Sequence, residues 1–192
     1  RTDLANTNWQ KELFNMGISR NLQIAASGAT ENLQYLISAG YYDMDGVVVG
    51  NNDKYQKFNF RTNLNSNVSD RFKIGINLQI SNTKRDAISS SGDSPGVIRH
   101  ALLRPPVLGV YKSVTDPTYS VRDPYTDLPF YTNANDIEKH KIYEYTSNPL
   151  AIVHFTNNTL TTFKNFGNVF AEYSFLKDKS LKFKSNFCVG TI

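Results

Sequence analysis

No apolar run in these 192 residues approaches the roughly 20 that a membrane-spanning helix requires. A helical span is therefore excluded, whereas membrane strands are not, since they need only about 9–11 residues and show themselves by alternation. There is one cysteine, Cys188, so neither an intrachain disulfide nor a thiolate metal cluster is possible. A lone thiol is expected to pack as a small buried hydrophobe. Charge of neither sign is clustered: the formal balance is +4, with Lys and Arg spread along the chain. Without a basic block or a recognition motif, no nucleic-acid partner is expected. His100, His140 and His154 are isolated, with no His-x-x-x-His or Glu-x-x-His spacing. Asp123, Asp127 and Asp136 lack calcium-loop spacing and read as solvated carboxylates. Glycine-rich phosphate cradles and Gly-x-Ser-x-Gly are missing too. The chain is accordingly expected not to be an enzyme and to need no cofactor or metal. Arg1 is followed by no apolar leader, which suggests an internal piece of a longer protein.

What is present is aromatic and β-forming. The chain has 11 Tyr and 12 Phe, is rich in Asn, and favours strands and turns. The clearest segment is 71–81. Phe72, Ile74, Ile76, Leu78 and Ile80 fall on one side of an extended strand and Arg71, Lys73, Gly75, Asn77, Gln79 and Ser81 on the other. Similar alternation predicts strands over 20–27, 33–42 and 55–65. It returns after residue 160 with Val169, Ala171, Tyr173 and Phe175, and again with Leu181, Phe183, Phe187 and Val189. A short helix around Trp9, Leu13 and Met16 is predicted near the start, capped by Thr7 or Asn8 and ended by Gly17. Val47–Val49 read as an outward continuation of the second strand. All seven prolines lie between Pro95 and Pro149, in a span without rhythm where Val97–Leu103 forms a short helix that stops before Pro105.

The expected fold is all-β, an antiparallel meander of about six strands. Residues 1–19 are a lead-in with a short helix, 20–81 hold strands 1–4, 82–159 form a long loop, and 160–192 hold two further strands. The connections alternate between short (28–32, 66–70, 176–179) and long (43–54, 82–159). Sorting of short turns to one end and long loops to the other is the asymmetry of an outer-membrane barrel. In that reading Phe72, Ile74, Ile76, Leu78 and Ile80 face lipid, and six strands are too few to close a barrel, for which about eight is the minimum. A soluble β-rich carbohydrate-binding module shares the alternation and stays open as an alternative. A glycosidase would need paired carboxylates about 5–10 Å apart, which spacing in sequence does not reveal.

Several ordered motifs carry a family likeness. They are Asn6-Thr7-Asn8-Trp9-Gln10, Gly17-Ile18-Ser19, Ser27-Gly28-Ala29-Thr30-Glu31, Ile37-Ser38-Ala39-Gly40-Tyr41-Tyr42-Asp43 and Asp45-Gly46-Val47. In the same order follow Phe60-Arg61-Thr62-Asn63-Leu64, Lys73-Ile74-Gly75-Ile76-Asn77, Arg104-Pro105-Pro106 and Asn148-Pro149-Leu150-Ala151. The chain resembles the early part of the barrel in SusC/RagA-family TonB-dependent outer-membrane transporters, departing from the pattern where Ala29 stands in place of an expected glycine. The plug domain, the energy-coupling box and about two thirds of the barrel of that family are not in this sequence. The resemblance implies a bacterial outer-membrane location, import of oligosaccharides or peptides, a SusD-like surface lipoprotein as partner, and coupling to TonB through the N-terminal part. It further implies that the long loop is extracellular and that solute or lipoprotein contact falls there, on Tyr111, Tyr119, Tyr125, Phe130 and Tyr131.

Overall fold

The computed structural model describes residues 4–50, 52–88, 96–126, 147–176, 178 and 180–191. Six strands form one sheet in chain order: β1 (Ser19–Ala29), β2 (Leu33–Met44), β3 (Tyr55–Ser69), β4 (Phe72–Asp86), β5 (Thr159–Ser174) and β6 (Lys182–Thr191). Among the described residues there are also three short helices, α1 (Trp9–Leu13), α2 (Val97–Leu103) and α3 (Pro149–Phe155). The chain divides into two compact units. One is the sheet, residues 19–44, 55–85 and 160–192, and the other comprises 1–18, 45–54 and 86–159.

In the sheet, pairing is antiparallel and its register stacks the apolar positions in rows. Leu22 faces Tyr41, which faces Phe58; Ile24, Ala39, Phe60 and Ile80 form the next row; Ala26, Ile37, Thr62 and Leu78 the next. Because the side-chain period is two, a slip by one residue would invert every strand, so these rows pin the register. Gly167 lies beside Leu78, which puts Val169 and Tyr173 on the same face, and the pairs Val169↔Phe187 and Tyr173↔Phe183 carry that face onto β6. None of the described hydrophobic side chains of this sheet is buried; Ile24 is 66% and Phe187 70% exposed. Leaving a Leu, Ile or Phe in water forgoes about 1.5–3 kcal/mol each, so this face requires a covering that the sheet does not supply itself.

The strands outrun the sequence expectation. Pairing of β3 with β4 continues through Ser66↔Ile74 and Asn67↔Lys73, passes a register shift, and closes at Ser69↔Phe72. Once a register is set, backbone hydrogen bonding propagates through polar residues, and the predicted turn at 66–70 shrinks to Asp70 and Arg71. The first turn likewise shortens, with Thr30 N–H donating to Leu33 O at 2.7 Å, and Gly28 stays in β1 opposite Tyr35. Cys188 corrects another expectation: it lies on β6, is exposed, and pairs with Asn168, whose Nδ2 is 2.9 Å from Sγ. Its place on the polar side of the strand that ends the sheet keeps it out of any core.

The second unit has a small true core of Trp9, Leu13, Val48, Val97, Ala101 and Val153. Asn8 caps α1, its Oδ1 accepting from Lys11 N at 3.1 Å. The helix ends at Phe14 and not at Gly17, because Phe14 turns extended to bridge Val48. Val49 N–H donates to Leu13 O and Asn15 N–H to Val47 O, both at 2.8 Å. Val47–Val49 thus fold against α1 instead of prolonging β2. α2 stops at Arg104, whose backbone is extended ahead of Pro105. α3 begins with Pro149 behind the Asn148 cap.

Candidate functional site

The unit that contains the long connection is tied together by polar side chains from distant parts of the chain. Arg104, 3% exposed, lies with its guanidinium carbon 5.0 Å from the Trp9 ring centroid. Its Nη2 donates to Thr126 O and Oγ1, both at 3.2 Å. Trp9 Nε1 donates to Pro105 O at 3.0 Å. Asn148 works in two directions: Nδ2 donates to Val110 O at 2.9 Å and Thr126 O at 3.0 Å, while Oδ1 accepts from Leu150 N at 3.1 Å and starts α3. Thr126 Oγ1 donates in turn to Gly109 O. His100 Nδ1 accepts from Ser147 N at 2.9 Å, which ties the residue before the Asn148 cap to α2.

This knot presents an aromatic group. Tyr111 and Tyr125 have ring centroids 5.4 Å apart and form an isolated bridge. Tyr125 lies 5.4 Å from His154 and 6.0 Å, edge on, from Phe155. Tyr111 is 60% and Phe155 58% exposed, and His154 is exposed as well. Beside them, Val49, Gly50, Asn52, Tyr125, Leu150, Val153 and His154 line a cleft of about 340 Å³. Gly50 has φ of 93°, a conformation that favours glycine, and a Cβ there would also crowd Val153 Cγ1 at 3.1 Å. Asn52 Nδ2 donates to Val153 O and Thr156 O, closing the end of α3. Burial, then the neighbouring Tyr111 phenol and the Asp123 carboxylate, push the Tyr125 hydroxyl above its usual range. Tyr125 is therefore a neutral ring and hydrogen-bonding hydroxyl at ordinary pH, suited to stacking and not to proton transfer.

Of the five aromatics that the likeness singled out, the structure brings Tyr111 and Tyr125 together. Tyr119 is half-buried elsewhere in the same loop, its N–H bonded to Asp116 O at 2.9 Å. Phe130 and Tyr131 lie outside the described residues, as do His140, Asp127 and Asp136. Asp123 is exposed and pairs with Lys112 at 3.6 Å. His154 and Phe155 were not singled out as contact residues. The only sequence signal for them is the Asn148-Pro149-Leu150-Ala151 helix start one turn earlier. Among the described residues no group of three or more His, Cys, Asp or Glu is placed to hold a metal. On β4, Ile76 is exposed while Phe72, Ile74, Leu78 and Ile80 are half-buried, and none is sealed beneath another layer.

No protein-family model matches the chain. Curated relatives do. It is 31% identical to the TonB-dependent receptor P3 of Formosa agariphila over 158 residues, 79% of this chain and 15% of that protein. It is 30% identical to the TonB-dependent receptor SusC of Bacteroides thetaiotaomicron over 181 residues, 89% of this chain and 17% of that protein. The fold is similar to that of the RagAB peptide importer, with TM-scores of 0.64 in the open-open state and 0.62 in the closed-closed state. Identity there is 17% and 18%, over 97% and 96% of this chain and 19% of that one in each case. The chain thus spans only about a sixth of the curated relatives it matches. Those relatives are receptors and importers, not enzymes. Sequence likeness along most of the chain and a meander of the same fold make it a stretch of barrel of the SusC/RagA-type TonB-dependent receptor family.

Proposed function

We propose that this chain is part of the wall and one extracellular loop of an outer-membrane importer. The whole protein takes up oligosaccharides or peptides under TonB drive, together with a SusD-like lipoprotein at the cell surface. The observation that carries this reading is the two-faced sheet without a core of its own. Its apolar rows, including Phe72, Ile74, Ile76, Leu78 and Ile80, are in register across strands of 10 to 16 residues, long enough to cross a bilayer. Acyl chains cover that face; water fills the space beside the other. A soluble carbohydrate-binding module would have to bury these rows under its own chain, and the described residues include no such layer.

Within the loop, Tyr111 and Tyr125, with His154 and Phe155, offer ring faces to a passing solute or to the lipoprotein, and Tyr119 and the pair Phe130 and Tyr131 belong to the same loop. The test uses the full-length protein in its native membrane. Deleting its gene, or removing TonB, should abolish growth on an oligosaccharide or peptide that the wild type uses at limiting concentration. A full-length protein that partitions into the aqueous phase of a detergent extraction would sink the reading.

A further inference from the structure

The two faces of the sheet differ in charge as sharply as in polarity. On the apolar face the charged residues Arg20, Asp43, Lys84 and Asp86 all sit at strand ends. The polar face is different. By register and alternation it carries Lys57, Arg61, Lys73, Arg85, Lys164 and Lys184, none in an ion pair among the described residues. Among the described residues Lys182 and Glu172 form its one ion pair, at 3.4 Å, and Glu172 is its only carboxylate. A chain with a formal charge of only +4 thus places an excess of six cations on one side of one sheet. Charges so arranged attract anions, over a range set by the Debye length of about 8 Å at physiological salt.

The cations are not alone. Arg61, Asn63, Asn77, Gln79, Phe166 and Asn168 bound a depression of about 350 Å³ on this sheet, and Phe166 is 57% exposed there. Carboxamides both donate and accept, as sugar hydroxyls do. An open aromatic face stacks on the C–H face of a pyranose ring, and a guanidinium grips a carboxylate or sulfate with two parallel hydrogen bonds.

We propose that this wall selects polyanionic oligosaccharides, those bearing carboxylate or sulfate groups. The proposal rests on the importer reading above and narrows its solute. The experiment uses the full-length receptor with its lipoprotein, purified in detergent. Calorimetry compares tetragalacturonate and a sulfated carrageenan tetrasaccharide with maltotetraose and tetraglutamate. At least one anionic sugar should bind in preference to maltotetraose and tetraglutamate, and its affinity should fall about ten-fold or more from about 0.05 to 0.5 M salt. The double variant Arg61→Gln/Lys164→Gln should lose a similar factor, and Arg61→Lys/Lys164→Arg should recover most of it. The salt series on the unaltered protein keeps the test open if the neutralised variant folds poorly. Equal or tighter binding of maltotetraose or tetraglutamate, binding indifferent to salt, or no binding of any anionic sugar would overturn the proposal. Cellular uptake separates the two readings: TonB-dependent import of maltotetraose alone defeats only the charge selection, while absence of any TonB-dependent import defeats the importer reading itself.

Discussion

The ring of Phe170 on β5 fills the space beside Gly75 on β4 where a side chain would begin, and Lys184 Nζ stands 4.4 Å from the centroid of that ring. Gly75 is buried with the aromatic of β5 over it and the Asn65 carboxamide of β3 beside it. Replacing Gly75 with alanine should displace Phe170 and cost about 1–3 kcal/mol. Urea unfolding of the full-length receptor in micelles reads the loss. Combining Gly75→Ala with Phe170→Ala should cost less than the sum of the two single changes, since the clash with the ring is gone and only the Asn65 side chain has to shift. Wild-type stability of Gly75→Ala would refute the contact.

Ile76 and Gln79 sit on opposite faces of one strand. Introducing lysine at both positions in separate variants tests which face meets lipid. Ile76→Lys should destabilise the folded receptor in vesicles by about 2–4 kcal/mol if it lies near the bilayer midplane. Gln79→Lys should leave stability within about 0.5 kcal/mol. Reversal of that order would mean the faces have been assigned backwards.

Asn148 donates to two carbonyls and caps a helix. Asn148→Ala removes one donor from each of the Val110 and Thr126 carbonyls, which keep the Thr126 N–H and Arg104 Nη2 respectively, and removes the cap, a loss of about 2–4 kcal/mol to the loop unit. Limited proteolysis of whole cells should then cut within 104–126 faster than in the wild type, with the unfolding of the barrel unchanged. Unaltered cleavage would show that the knot is not what holds this unit.

Asp116 Oδ1 accepts from the Thr118 hydroxyl and N–H, both at 2.7 Å, and these bonds hold its carboxyl below the ordinary value. A folded-state value that is depressed means stability present above the unfolded carboxyl value, about pH 4, and lost as pH falls through the lower folded one. Amide exchange at Thr118 should therefore accelerate, beyond its intrinsic pH dependence, on acidification below about pH 4. Asp116→Asn should flatten that dependence. An identical profile in the variant would exclude the carboxyl as its source.

Much of the sheet was legible residue by residue. The alternation at Phe72, Ile74, Ile76, Leu78 and Ile80 needs no partner to be recognised, because a strand turns successive side chains to opposite faces wherever it lies. The ends were less legible. Ser66 to Ser69, with Val68 as its one apolar residue, and Asn82 to Asp86, polar on both faces, show no alternation, so their inclusion in β3 and β4 follows from ladder hydrogen bonds that a one-strand reading cannot see. The loop unit was the least legible. Trp9, Arg104, Thr126 and Asn148 are separated by as many as 139 positions, and no periodicity connects them. Three of the four did surface, in Asn6-Thr7-Asn8-Trp9-Gln10, Arg104-Pro105-Pro106 and Asn148-Pro149-Leu150-Ala151, but as motifs without a reason. The buried hydrogen bonds supply it.

By itself the sequence determined that this chain makes two-faced hairpins, because side-chain period and turn chemistry are local properties of the backbone. It also excluded a helical span, an intrachain disulfide and a thiolate metal cluster through what it does not contain. Only the tertiary structure decided which cations share a surface, because that depends on the register among six strands, where a shift of one residue would send Arg61 or Lys184 to the other side. It also decided that Cys188 is exposed and that His154 and Phe155 join Tyr111 and Tyr125, since exposure and side-chain contact are settled by residues far away in the chain.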